Sequence, residues 1–169
     1  MTQRERIEEV EDAPGNIRKR EIVSHTGGSV IVALLDNGDV ILVRQYRYPI
    51  KKFVLEVPAG KLEPNEDPLT AAKRELQEET GYTADNYEKL TMMFTTPGFC
   101  NEVLHIYLAT GLKKSEQGQN LDEGEQSLTV EYIPLTTAVE MIVRGEIGDS
   151  KTIAGILLAE RKLKSKIND

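Results

Sequence analysis

Two short apolar, β-branched runs, residues 30–35 and 40–43, flank Asp36-Asn37-Gly38-Asp39. Asn-Gly accepts the positive φ angles of the tight turn whose twist matches paired strands, so this segment predicts an antiparallel hairpin that any architecture must accommodate. A further strand is expected over residues 53–57, stopped by Pro58, and Glu63-Pro64-Asn65-Glu66 reads as a turn. The apolar period then changes. Asp67 supplies an N-cap, Pro68 a first helical position, Leu69, Ala72 and Leu76 recur at helical spacing, and Gly81 sits where a helix stops, which predicts a helix over 68–80. Strands are expected at 87–94, 102–109 and 128–133, the last with Leu128, Val130 and Tyr132 on one face. Between the last two lies a polar stretch, 113–126, long enough to be functional or disordered. Two amphipathic helices are expected at 137–144 and 150–164, the second turning Ile153, Ile156, Leu157 and Leu163 to the core.

Composition narrows what such a chain does. Its 169 residues are one domain's worth, and Lys plus Arg 21 against Asp plus Glu 28 leave a net charge of −7. Without a basic block it is not expected to bind nucleic acid, where neutralisation of phosphates dominates affinity. No apolar run approaches the roughly 18 residues of a membrane span, and the start MTQRERIEEV lacks a signal-peptide core, so a cytoplasmic protein without a membrane partner is expected. The first 20 residues are charged and poorly patterned, and read as a flexible arm or a strip covered by another subunit, with the domain proper at 21–169. One cysteine, Cys100, and two histidines, His25 and His105, leave any metal to carboxylates.

The carboxylates are there. On the expected helix Glu75 and Glu79 share a face, Glu78 lies one turn from Glu75, and Arg74 is placed to pair with Glu78. Like charges at this spacing cost an isolated helix a few tenths of a kcal/mol per pair, so the crowding calls for a counter-charge, and hard divalent cations take oxygen ligands. Such a string alone more often marks a solvated face. Spacing decides otherwise: Gly60, Glu66, Arg74, Glu75, Leu76, Glu78, Glu79 and Gly81 match G-x5-E-x7-R-E-U-x-E-E-x-G-U, the Nudix box, with the aromatic Tyr82 at the last aliphatic position, where it should face the core.

The chain thus resembles the Nudix hydrolases. Arg44-Gln45-Tyr46-Arg47, Glu56-Val57-Pro58-Ala59-Gly60, Thr96-Pro97-Gly98-Phe99 and Leu121-Asp122-Glu123-Gly124-Glu125 bring it closest to their ADP-ribose pyrophosphatase branch. That resemblance implies an α/β fold, a mixed β-sheet in an α/β/α sandwich. It also implies a homodimer and Mg²⁺-dependent hydrolysis, with Mn²⁺ able to substitute, of ADP-ribose or a related nucleoside diphosphate sugar to a nucleoside monophosphate and a sugar phosphate. The alternatives are another substrate, of the GDP-mannose or UDP-sugar type, and a ligand sensor of this fold without turnover.

Carried onto this sequence, the resemblance makes Glu75, Glu79, Glu125 and the Ala59 carbonyl metal ligands with the catalytic acid Glu78 assisting them, and Glu123 the general base. Arg47 and Arg44 are candidates for phosphate, Glu56 for positioning Arg47 or a water, Gly60 for a close backbone approach, and Pro97 and Phe99 for the substrate pocket. Cys100 reads as pocket wall, His105 as a packed sheet residue, and Tyr46 and Tyr48 as core or rim packing that could stack on a base.

Overall fold

A computed structural model describes residues 3–167. Nine strands and three α-helices follow in the order β1 (Gln3–Ala13), β2 (Asn16–His25), β3 (Gly28–Leu34), β4 (Asp39–Arg47), β5 (Lys52–Glu56), β6 (Ala59–Lys61), α1 (Pro68–Thr80), β7 (Tyr82–Phe94), β8 (Val103–Lys114), β9 (Thr129–Pro134), α2 (Leu135–Val143) and α3 (Ser150–Ile167). The seven strands from β3 onward form one mixed sheet. Its centre is β3, parallel to β8 along one edge and antiparallel to β6 and β4 along the other. A strand covered on both faces should be continuously apolar, and β3 is: Val30 and Val32 face one cluster, Ile31 and Ala33 the other, and all four are fully buried.

Those clusters are the two halves of a sandwich. On one side Ala72 and Leu76 of α1 pack with Ile31, Ile41 and Tyr107, joined as expected by Tyr82; on the other, Ala138 of α2 and Ile156 and Ala159 of α3 pack with Val32, Leu42 and Ile106. The expected helix 68–80 has the predicted bounds. Asp67 accepts from the amides of Leu69 and Thr70, and Gly81 ends the helix at φ 73, a left-handed conformation that glycine adopts without strain.

Two details go beyond or against the sequence pattern. Residues 3–25, where little regular structure was expected, form a regular antiparallel hairpin whose strand β2 continues past residue 20. The end of that hairpin is hydrogen-bonded to the domain described above: the Val23 amide donates to the Phe99 carbonyl at 2.8 Å, and the His25 amide to Asn101 Oδ1 at 2.8 Å. On α3, Leu157 is exposed; Thr152, Gly155, Ile156 and Ala159 make the buried stripe, and Leu157 lies about 100° round the helix from Ile156.

Candidate active site

A cleft opens where the start of β3, the end of β4, β6, α1, the 121–125 turn and the start of α3 meet. One wall is α1. Glu75 and Glu79, four residues apart, both turn inward and are buried. Above them passes β6, where Gly60 is indispensable: a Cβ there would lie 1.8 Å from the Glu75 carboxyl carbon. The Ala59 amide donates to Glu79 Oε2 at 3.0 Å. Arg74 binds the rest of the motif together, donating to both oxygens of Glu66 at 3.0 Å, to Glu75 at 2.7 Å, to Glu78 at 2.9 Å and to the Lys61 carbonyl at 3.2 Å. Its guanidinium holds the Glu66 carboxyl below the usual range. Burial nevertheless pushes Glu75 up to about 7, and pushes Glu79 well above the usual carboxylate value with Glu125 and Glu75 adding to it.

The opposite wall has the reverse chemistry. Glu56, at the end of β5, receives Arg47 Nε at 2.7 Å and Nη2 at 2.6 Å, and also Lys151 Nζ from α3. Burial raises the Glu56 pKa, but the two cations outweigh it and the net shift is downward.

The 121–125 turn closes the third side. The polar stretch that leads into it is anchored on the end of α1, where the Ser115 amide donates to the Gly81 carbonyl at 2.8 Å, Asn120 to Glu78 at 2.9 Å, and the Gln119 side chain to the Glu79 carbonyl at 2.6 Å. Residues Glu123–Glu125 form a 3₁₀ turn. Asp122, Gly124 and Glu125 line the cleft, whereas Glu123 is exposed and is not among its lining residues. Burial raises the Glu125 pKa, and Asp122 adds to it.

The structure therefore gathers Glu75, Glu125, Ala59, Gly60 and Arg47 around one cleft, with Glu79 buried against the Ala59 amide, Glu56 behind Arg47 and Glu78 on Arg74. Glu123 is not brought in. Arg44 lies on the other face of β4 and is bound to Glu131 by Nε at 2.5 Å and Nη2 at 3.3 Å. Pro97 and Phe99 sit in an exposed turn, Phe99 beside a shallow groove with Ile7, Ile22 and Val23 of the hairpin, while Thr95 and Thr96 line the cleft. Tyr46 packs edge-on between Tyr48 and Phe53, Cys100 pairs with Val23, and His105 lies within β8. Sequence reasoning missed Lys151 and Asp149 from α3, and His25, whose ring stands 3.4 Å from Glu102.

Among the described residues no three His, Cys, Asp or Glu side chains already stand in coordinating geometry; Glu75 and Glu78 turn to Arg74 instead. The donors still suit a hard divalent cation. They are all oxygens, two of them are buried with raised pKa and no cation of their own beyond Arg74, and a side chain at residue 60 would fill the space.

A model of the NUDIX domain matches residues 25–156. The chain belongs to the Nudix family. Like other Nudix hydrolases it is an enzyme of a class that generally uses divalent metal ions. It is 41% identical over 156 residues to the ADP-ribose pyrophosphatase of Bacillus subtilis, covering 92% of this chain and 84% of that protein. It is also 41% identical over 162 residues to the methanol dehydrogenase activator of Bacillus methanolicus, covering 95% and 87%. The GDP-mannose pyrophosphatase of Yersinia enterocolitica is 32% identical over 141 residues, covering 79% and 73%. A crystal structure described as an ADP compounds hydrolase superposes with a TM-score of 0.78 over 98% of this chain and 96% of that one, at 20% identity, which speaks for the Nudix fold and its α/β/α sandwich.

Proposed function

We propose that this Nudix hydrolase cleaves the diphosphate of ADP-ribose or a closely related nucleoside diphosphate sugar, releasing a nucleoside monophosphate and a sugar phosphate, with Mg²⁺ as its ion and Mn²⁺ as a substitute. The observation that carries the reading is the pair Glu75 and Glu79, both buried, with Gly60 leaving the space that the Glu75 carboxylate occupies. Similarity supports the substrate class: the ADP-ribose pyrophosphatases of B. subtilis and Mycobacterium tuberculosis are 41% and 39% identical to the chain, and the Yersinia GDP-mannose pyrophosphatase 32%. The activator is as similar as the first of these. A chain that only regulated a partner would have no use for two buried carboxylates whose pKa values stay raised despite Arg74, which favours turnover.

Glu75, Glu79 and Glu125, with the Ala59 carbonyl, would hold the ion. A bound divalent cation polarises water and phosphoryl oxygens and offsets charge on the entering and leaving groups. Arg47 binds a phosphate through its planar fork, held in orientation by Glu56. Water attacks phosphorus in line, the bridging P–O bond breaks, and a carboxylate takes the water's proton, with no covalent intermediate. Glu123 fills that last role only if the 3₁₀ turn rewinds, whereas Glu125 already faces the cleft; Glu78 assists from its place on Arg74. Two variants separate the roles. Glu123→Gln lowers kcat about 10²- to 10⁴-fold at unchanged metal requirement if Glu123 is the base, and Glu125→Gln raises the Mg²⁺ needed for half activity if Glu125 is a ligand.

We assign a homodimer in the cytoplasm. Ile7 and Ile17 of the hairpin stand largely in solvent, and a second subunit laid over the groove beside Phe99 would cover them and wall the nucleoside pocket near Pro97. No helix among the described residues is long and apolar enough to cross a membrane. Turnover of ADP-ribose, GDP-mannose and UDP-glucose with Mg²⁺, products identified by mass in ¹⁸O-labelled water, tests the substrate; hydrolysis of none of them overturns the reading. A fully active monomer by light scattering overturns the assembly.

A further inference from the structure

The cleft must hold a polyanion although its walls are acidic, so its cations decide where the phosphates lie. Among the described residues lining it, Arg74 is spent on Glu66, Glu75 and Glu78, and Lys61 is exposed on β6. Arg47 and Lys151 remain. They come from elements far apart in sequence, the end of β4 and the first turn of α3, yet Arg47 Nη2 and Lys151 Nζ both donate to the same oxygen, Oε2 of Glu56. Two cationic donors converging on one anionic oxygen make the arrangement that a non-bridging phosphoryl oxygen also satisfies.

The clamp shares the cleft with the acidic wall, since Arg47 and Lys151 line it together with Glu75 and Glu125. The N-terminus of α3 offers no competing anion site in its first turn, because Asp149 Oδ2 already accepts from the Thr152 amide at 3.0 Å and its hydroxyl at 2.6 Å. Asp149 also takes Lys151 Nζ at 3.0 Å, so the ammonium is held at the cleft surface from two sides. Glu56 is nearly inaccessible, whereas Lys151 retains some exposure through which a ligand oxygen can reach it.

We infer that Lys151 is a second phosphate-binding residue, closing with Arg47 on one phosphoryl group of the diphosphate, with Glu56 serving to keep the two cations together. This rests on the hydrolase reading above and adds to it which group of the substrate the α3 wall recognises.

The probe is methylene diphosphonate, a diphosphate analogue that water cannot cleave, titrated calorimetrically in Mg²⁺ beside steady-state kinetics with ADP-ribose. Lys151→Met is expected to weaken the analogue's Kd and raise KM about tenfold or more, with a smaller change in kcat and an unchanged Mg²⁺ requirement, and Lys151→Arg to restore both. Should the single variant fail to fold, Glu56→Gln/Lys151→Gln removes one charge of each sign, leaves the net charge of the wall as it was, and is expected to show the same loss. A lower Tm with Kd and KM unchanged means that Lys151 only ties α3 to β5 and overturns the inference, as does a wild-type chain that does not bind the analogue. Analogue binding that depends on Lys151 in a chain that hydrolyses no nucleoside diphosphate sugar would sink the hydrolase reading and leave the clamp standing.

Discussion

Glu56 and Glu79 are almost equally buried, the first 2% exposed and the second 1%. Equal burial has opposite consequences. Glu56 lies between Arg47 and Lys151, and its carboxyl is held below the usual range; Glu79 has one backbone amide and acidic neighbours, and its carboxyl is pushed far above it. On one wall the cations outweigh burial; on α1 burial outweighs Arg74. The fold thus leaves on α1 an electrostatic deficit that a divalent cation would relieve under the proposed reading.

The largest effect expected from breaking this contrast is on turnover. Glu79→Gln should cost roughly 10³-fold or more in kcat, about 4 kcal/mol, while the metal-free protein keeps its fold and gains slightly in thermal stability, because Gln accepts the Ala59 amide without a charge. Glu56→Gln should do the reverse to stability, costing about 3 kcal/mol in denaturant unfolding, because it strands two cations; the value sits at the low end for a broken buried pair since Arg47 still reaches water. Gly60→Ala comes next. Its Cβ displaces Glu75, and a misplacement of about 1 Å suffices for roughly 10²-fold in kcat, with an altered Mg²⁺ requirement to mark the cause.

The smallest effect is on pH dependence. Glu75 has a folded pKa raised to about 7 and Glu79 one raised above its ordinary value, so their share of metal-free stability is complete below about pH 4.3, their unfolded value, and is lost as pH rises, for Glu75 through about 7, a decline that denaturant unfolding across this range should show. Glu56 has a lowered one. Its share is complete above that same unfolded value and is lost only as pH falls through the folded pKa, so the cost of Glu56→Gln should stay flat between pH 5 and 8. Saturating Mg²⁺ should remove the decline, since the ion binds the ionised carboxylates.

The acidic wall was legible in the sequence because it is local: Gly60 to Gly81 is one contiguous strand-turn-helix, with cap, proline and stop residues that all agree. The cationic wall was half legible. Arg47 and Glu56 are nine residues apart on paired strands, but Lys151 joins Glu56 across a separation of 95, which no local pattern records. The N-terminal hairpin was missed for a different reason. Its strands are polar on both faces and largely exposed, so no alternation betrays them, and only Pro14-Gly15 marks the turn. Leu157 misled because aliphatic side chains at neighbouring helical positions leave the centre of the stripe undetermined until Gly155 shows which face meets Val32. Glu123 was placed by its neighbourhood in the acidic loop, whereas Asp122, Gly124 and Glu125 line the cleft instead.

The claim that burial outweighs Arg74 and keeps carboxylates of α1 protonated near neutral pH is tested most directly by counting protons when Mg²⁺ binds. Calorimetric titrations at pH 6 to 6.5 in buffers of different ionisation enthalpy should show proton release on Mg²⁺ binding, diminishing as pH is raised past 7 and reduced in Glu75→Gln. Binding of Mg²⁺ to the wild-type protein with no proton released at any pH would contradict the account.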